Sequence, residues 1–113
     1  MSRVDSLRGK ITKYAAKGNL AKLVKLAEDQ DPDVRAEVAL AMGKINTYES
    51  GMALIPLLRD SVSMVRANAS TAAAECNAKH CEEYVKKLAF ADPDPLVRET
   101  AKAAYDCLKT SVI

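Results

Sequence analysis

The residues best suited to chemistry are three cysteines and the only histidine of this 113-residue chain. Cys76, His80 and Cys81 fall within six residues of one another, and Cys107 follows further on. Thiolate and imidazole are zinc ligands, but structural zinc takes four of them, usually as two separated pairs, so Cys107 would have to complete the set. Cys76 sits at a position that is Ile45 and Leu108 elsewhere in the chain, and it reads as a small core hydrophobe. His80 has no paired base motif that would mark acid–base catalysis. A glycine-rich phosphate loop, a G-x-S-x-G elbow and an H-E-x-x-H motif are all missing. The sequence therefore predicts no metal site, no cofactor and no catalytic activity. An odd number of cysteines behind a charged N-terminus that lacks a secretory apolar region points to free thiols in the reducing cytoplasm.

Carboxylates near arginines form a second set with chemical potential. Asp29, Asp60 and Asp92 each precede an arginine by six positions: Arg35, Arg66 and Arg98. Such pairs could hold a phosphate. Their recurrence at equal spacing argues instead that each serves a repeated structural unit. Val34, Val65 and Val97 precede those arginines, thirty-one and then thirty-two residues apart. Counting from each Val, apolar side chains fall at 0, +4, +7, +8 and +11, one face of a helix. Upstream, Leu23, Leu26 and Ala27 match Leu54, Leu57 and Leu58, then Val85, Leu88 and Ala89. Each unit thus reads as an A helix, a short turn and a B helix.

The expected elements are a leading helix over 4–17 and helix pairs over 20–28 with 33–45, 51–59 with 63–78, and 81–90 with 96–110. Asp31-Pro32 and Asp94-Pro95 read as an N-cap followed by proline at the first helical position. In the second unit Ser61 or Ser63 is the candidate cap. Gly18 and Gly51 are expected to punctuate the joints between units. Pro56 is expected to kink its helix if that helix begins at Gly51.

The stretches LVKLAEDQDPDVRAEVALAMGKI, LIPLLRDSVSMVRANASTAAAEC and VKKLAFADPDPLVRETAKAAYDCL together resemble the HEAT-repeat family, in the variety also seen in phycobilin-lyase-like proteins. The resemblance covers about residues 20–108. It implies an all-α fold, a right-handed α-solenoid (α-α superhelix) of three HEAT-like helical hairpins plus an N-terminal capping helix. The division is one domain over 1–113: capping helix 1–18, then repeats at 19–46, 47–78 and 79–113. The resemblance also implies a ladder, within or between repeats, of Asp29, Asp60 and Asp92 with Arg35, Arg66 and Arg98, and it implies that B helices line a concave face. His80 followed by Cys81 breaks the His-Glu pairs of the iron-binding hydroxylases built from such repeats.

Two surfaces are candidates for binding. Residues 1–26 hold seven basic side chains (Arg3, Arg8, Lys10, Lys13, Lys17, Lys22 and Lys25) against the single acid Asp5. Lys10, Lys13 and Lys17 make one stripe, which could meet a polyanion or simply be solvated. On the B helices, offsets +2, +5, +6 and +9 select Ala36, Ala39, Leu40 and Gly43, then Ala67, Ser70, Thr71 and Ala74, then Glu99, Lys102, Ala103 and Asp106. The first two sets form an uncharged strip with two open readings: a groove for a partner's helix or extended segment, flanked by Lys44 and Glu75, or close contact between B helices. The expected function is a protein-interaction adaptor whose contacts are Ala36, Leu40, Lys44, Ser70, Thr71, Glu75 and Lys102. Nucleic-acid or other polyanion binding through the basic N-terminal helices, with Lys10, Lys13 and Lys17, is the alternative. A lyase-type accessory role follows only from the resemblance. A homodimer through the last helix would cover its outer flank.

Overall fold

The structure, a computed structural model, describes residues 1–111; Val112 and Ile113, the end of the expected third repeat, lie outside it. Seven α-helices follow in order: α1 (Arg3–Ala16), α2 (Leu20–Leu26), α3 (Pro32–Met42), α4 (Tyr48–Leu58), α5 (Ser63–Glu75), α6 (Glu82–Ala91) and α7 (Pro95–Thr110), with a 3-10 turn at Lys79–Cys81. They form an α-solenoid of two layers. The B helices α3, α5 and α7 lie side by side with α1 continuing their row, and the A helices α2, α4 and α6 cover them. The array is a slab of 36 × 30 × 16 Å.

The apolar period explains the packing. Val34, Val65 and Val97, and their counterparts at +4, +7 and +11, are all buried. At +8, Met42 and Ala73 are buried while Tyr105 is half-buried. The A helices are less uniform. Leu54, Leu57 and Leu58 of the middle hairpin are buried, whereas Leu26, Ala27, Leu88 and Ala89 of the outer hairpins are half-buried. Among the described residues only the middle hairpin has a hairpin on either side, so the same residue pattern buries less surface in the other two. Helix α1 caps the row by burying Val4 and Ile11 and half-burying Leu7 and Tyr14.

The turns are fixed by side-chain oxygens. Asp31 accepts from the Asp33 amide and Asp94 from the Leu96 amide, each at 2.9 Å. Helix α5 departs from that pattern. Neither Ser61 nor Ser63 caps it; Val62 holds the cap position without a side-chain bond. The turn is held by Asp60, whose Oδ1 accepts from the Val62 amide at 2.9 Å. Gly18, at φ 66°, ends α1 as expected. Gly51 is not a joint but lies buried inside α4, which starts three residues earlier because Thr47 accepts from the Ser50 amide. Helix α4 runs through Pro56 and ends at Leu58. The proline removes only the bond its missing N–H would have given to Met52, close to the helix end. Ser50 is buried and its hydroxyl donates to the Met42 carbonyl at 2.7 Å, tying α4 to the end of α3.

Candidate functional site

The ladder runs between repeats. Arg35 Nε donates to Asp60 Oδ2 at 2.8 Å and Nη2 to Oδ1 at 3.1 Å. Arg66 repeats this on Asp92 at 2.7 and 3.0 Å. The remaining nitrogen, Nη1, donates to the backbone carbonyl of the arginine's own repeat, Asp29 for Arg35 and Asp60 for Arg66, both at 2.8 Å. Each guanidinium therefore spans the joint to the next hairpin. The third rung comes from a residue the repeat pattern had not singled out. Arg3, on α1, donates to Asp29 through Nε and Nη2. Its spacing to Asp29 equals that from Arg66 to Asp92, the signal that could have revealed it.

These contacts hold the carboxylates ionised. Asp29 is drawn down to about 2, first by the hydrogen bond from Arg3 and then by the Asp31 amide. At Asp60 and Asp92, burial works against the charged form. Bonds from Arg35 and the Val62 amide, and from Arg66 and the Asp94 amide, outweigh it and keep both below the ordinary value. All the arginine nitrogens on these acids face structural partners, so the rungs bind repeats together.

The expected contact strip divides. Ala36, Ala39, Gly43, Ala67 and Ser70 are buried. A Cβ on Gly43 would stand 2.9 Å from the Ala72 Cα, and Asn68 Nδ2 donates to the Ala36 carbonyl across the same seam. Offsets +2, +5 and +9 thus face the next B helix, and their small side chains permit the close approach. Ala36 and Ser70 are accordingly not partner contacts, a correction to the expected set. Lys102 occupies the position of Ala39 and Ser70, but on the last B helix, so it lies on the outer flank rather than on the B-helix face. Lys44 and Glu75 pair with each other at 2.9 Å and bridge the end of α3 to α5, and Lys44 also lines the hollow between α1 and α3.

The solvent face of the B helices uses offsets −1, +3, +6 and +10. These are Asp33, Glu37, Leu40 and Lys44 on α3, Met64, Asn68, Thr71 and Glu75 on α5, and Leu96, Thr100, Ala103 and Cys107 on α7. Of these, Leu40, Lys44, Thr71 and Glu75 belong to the expected contacts, and Ala103 to the offsets read on the last B helix. A hollow of ≈ 440 Å³ between α1 and α3 is lined by Leu40, Ala15, Ala16 and Glu37 among others. Another, ≈ 410 Å³, lies between α5 and α7 and is lined by Thr71, Ala74, Leu96, Thr100, Ala103 and Cys107. The α3 hollow is lined by two charged residues, Glu37 and Lys44, and the α5–α7 hollow by one, Glu99; the α5–α7 side carries Met64 and Leu96 at equivalent positions, 50% and 56% exposed.

On α1 and α2, Lys10, Lys13, Lys17, Lys22 and Lys25 are exposed and enter no ion pair among the described residues. Arg3 and Arg8 are drawn into pairs with Asp29, Glu37 and Asp5. The cysteines are separated in space and role. Cys76 and Cys81 are buried and Cys107 is exposed. Cys81 Sγ donates to the Gly51 carbonyl at 3.2 Å, and burial pushes its thiol up to about 11. Burial raises Cys76 as well. No cluster of three or more His, Cys, Asp or Glu that could hold a metal occurs among the described residues. Because the thiolate is the reactive form, a native-state thiol titration is expected to label Cys107 rapidly and the other two only after unfolding. Fast labelling of more than one thiol would contradict this placement.

Among the described residues no helix is long and apolar enough to cross a membrane. A family model described as HEAT repeats matches residues 9–67, more than half of the chain. A search of curated proteins returns no match.

Proposed function

The chain belongs to the HEAT-repeat family, and from that premise we propose that it is an adaptor whose protein partner seats on the α5–α7 half of the B-helix face. HEAT repeats generally mediate protein–protein interaction and are typically non-catalytic. The observation that carries the proposal is the exposure of both Met64 and Leu96, at equivalent positions, beside a hollow of Thr71, Ala74 and Ala103 whose one charged lining residue is Glu99. A face that served only solvation would carry Lys and Glu at these positions. One helix or extended segment laid along the α5–α7 seam is the expected form of the partner. Three free cysteines fit the reducing cytoplasm as the compartment.

The test is a photo-crosslinking residue placed at Ala103, with one at Lys22 as control, followed by identification of the crosslinked protein. Purified partner should then bind the double variant Thr71→Arg, Leu96→Asp at least about 30-fold more weakly, the equivalent of losing a hot spot of about 2 kcal/mol. Unchanged affinity in a variant with an unchanged melt would sink the reading. A second reading has its own observation, the free row of Lys10, Lys13 and Lys17. Under it, affinity for a polyanion would fall steeply with salt, and reversal of the three lysines to Glu would remove it.

A further inference from the structure

Among the described residues one buried side-chain nitrogen or oxygen has no hydrogen-bond partner, Nε2 of His80. His80 stands in the 3-10 turn Lys79–Cys81, against which α4, α5 and α6 pack. Its ring lies on Gly51 of α4. A Cβ built at Gly51 would overlap Nε2, and would stand 2.5 Å from Cε1 and 2.9 Å from the Ala78 Cβ. Glycine has only a Cα hydrogen in that direction, which makes room for the ring. Tyr48 of the same helix covers the imidazole, with centroids 4.3 Å apart and planes tilted by 35°. Next to it Cys81 Sγ donates to the Gly51 carbonyl. Two consecutive residues of the turn are thus seated on a single residue of α4.

The seat discriminates between protonation states. A C–H can meet a lone pair, whereas an N–H aimed at it would be a buried donor without an acceptor. The neutral ring therefore carries its proton on Nδ1, and a second proton has only Nε2 to go to. The charged and titratable groups nearby do not remove the conflict. On α4 these are Tyr48, which meets the ring by its face, and Glu49, which enters no ion pair among the described residues. At the end of α5, Glu75 is taken by Lys44. In the turn and on α6, Lys79 is taken by Glu82 and the Leu108 carbonyl. The thiols of Cys76 and Cys81 are held neutral by burial. Outside the seat the ring borders a hollow of ≈ 640 Å³ lined by Asn46, Asn77 and Lys79 among others. An imidazolium driven off Gly51 has space and polar surroundings there.

We propose that His80 on Gly51 is a proton-sensitive latch between the second and third hairpins: the neutral ring closes the joint against Tyr48, and a proton on Nε2 drives it out. The latch is separate from the α5–α7 hollow, and either can fail without the other. Because the seat holds only the neutral form, its contribution is complete above the histidine range of about pH 8 to 5 and is lost as pH falls through it. The ladder carboxylates titrate below that range, so the two effects occupy different windows.

NMR of the labelled full-length chain tests this. Long-range proton–nitrogen correlations read the tautomer, and nuclear Overhauser contacts from the His80 ring to the Gly51 Cα hydrogens read the seat. At about pH 7.5 the proton should be on Nδ1 and the contacts present; at about pH 5 the contacts should be gone and the Tyr48 ring resonances shifted. Gly51→Ala should show the low-pH Tyr48 resonances already at neutral pH. The native chain should melt at a lower temperature at about pH 5 than at about pH 7.5, whereas His80→Phe, which cannot take a proton, should melt alike at both. An Nε2–H tautomer at neutral pH would overturn the proposal. So would a ring that stays seated at about pH 5, protonated or not. An equal fall in melting temperature in His80→Phe would overturn it too, because the titrating group would then lie elsewhere.

Discussion

Asp92→Ala is expected to destabilise the fold by about 3–5 kcal/mol, because it leaves the Arg66 charge unpaired in a site that water barely reaches. The Asp92 side chain is 2% exposed and that of Arg66 13%. A loss of that size is a large fraction of the about 5–15 kcal/mol that holds a domain together. Asp92 also accepts the Asp94 amide at 2.9 Å, so the turn into α7 loses a bond as well. The matched change at the other end, Asp29→Ala, should cost far less, since Arg3 is 58% exposed and water can take over its charge. Urea denaturation of the two variants checks the contrast; equal losses would mean that the rungs do not differ by burial. Replacing both partners, Arg66→Met with Asp92→Leu, should recover part of the loss.

The ladder also sets the acid limit of the fold. Asp29, Asp60 and Asp92 all titrate below the ordinary carboxylate value in the folded chain. Their stabilisation is therefore complete above the unfolded value of about 4. It is lost as pH falls through the folded values, about 2 for Asp29. Stability of the native chain should drop between about pH 4 and pH 2, and Asp92→Ala should show a shallower drop over the same range.

Gly43→Val is expected to cost about 1–3 kcal/mol or more by overpacking the α3–α5 seam. A Cβ at this position stands 2.7 Å from Glu75 Oε1, 2.9 Å from the Ala72 Cα and 3.0 Å from its Cβ. Glu75 can swing away, but Ala72 is backbone in the middle of α5 and moves only with its helix. Gly43 has an ordinary helical φ of −64°, so a side chain here would gain about 0.5–1 kcal/mol from backbone entropy, which the clash exceeds. Gly9 provides the control. Nothing lies within 4 Å of a Cβ built there, and Gly9→Ala in the exposed face of α1 should stabilise by about 0.5–1 kcal/mol. If both variants were stabilised, the B helices would not be in close contact and the small-residue strip would again be a candidate surface.

Much of the fold was legible in the chain because repeats write it three times. The D-x5-R spacing and the recurring apolar offsets identify the hairpins, the turns at Asp31-Pro32 and Asp94-Pro95, and the buried face of every B helix. The helix ends were less legible. Helix α4 begins at Tyr48 because of one Thr47 cap bond, and α5 stops at Glu75, followed by Asn77 at φ 57°. Such ends are decided by one or two local bonds that periodicity does not register.

The candidate site shows the division most clearly. By itself the amino-acid order determined which side of each B helix is core, because a buried face needs apolar residues at helical spacing. Two other faces, roughly a quarter-turn apart, carry small or mildly polar residues alike. Only the placement of neighbouring helices shows that Ala36, Ser70 and Gly43 pack on the next helix while Met64, Thr71, Leu96 and Ala103 meet solvent. The ladder divides in the same way. Its residue types could be read directly, but each carboxylate lies six residues before its own repeat's arginine and some twenty-five after the preceding repeat's. The choice between them was made by stacking, which brings the distant arginine's fork onto the carboxylate and leaves the nearer one bonded to its backbone carbonyl. Stacking also recruited Arg3 into the first rung.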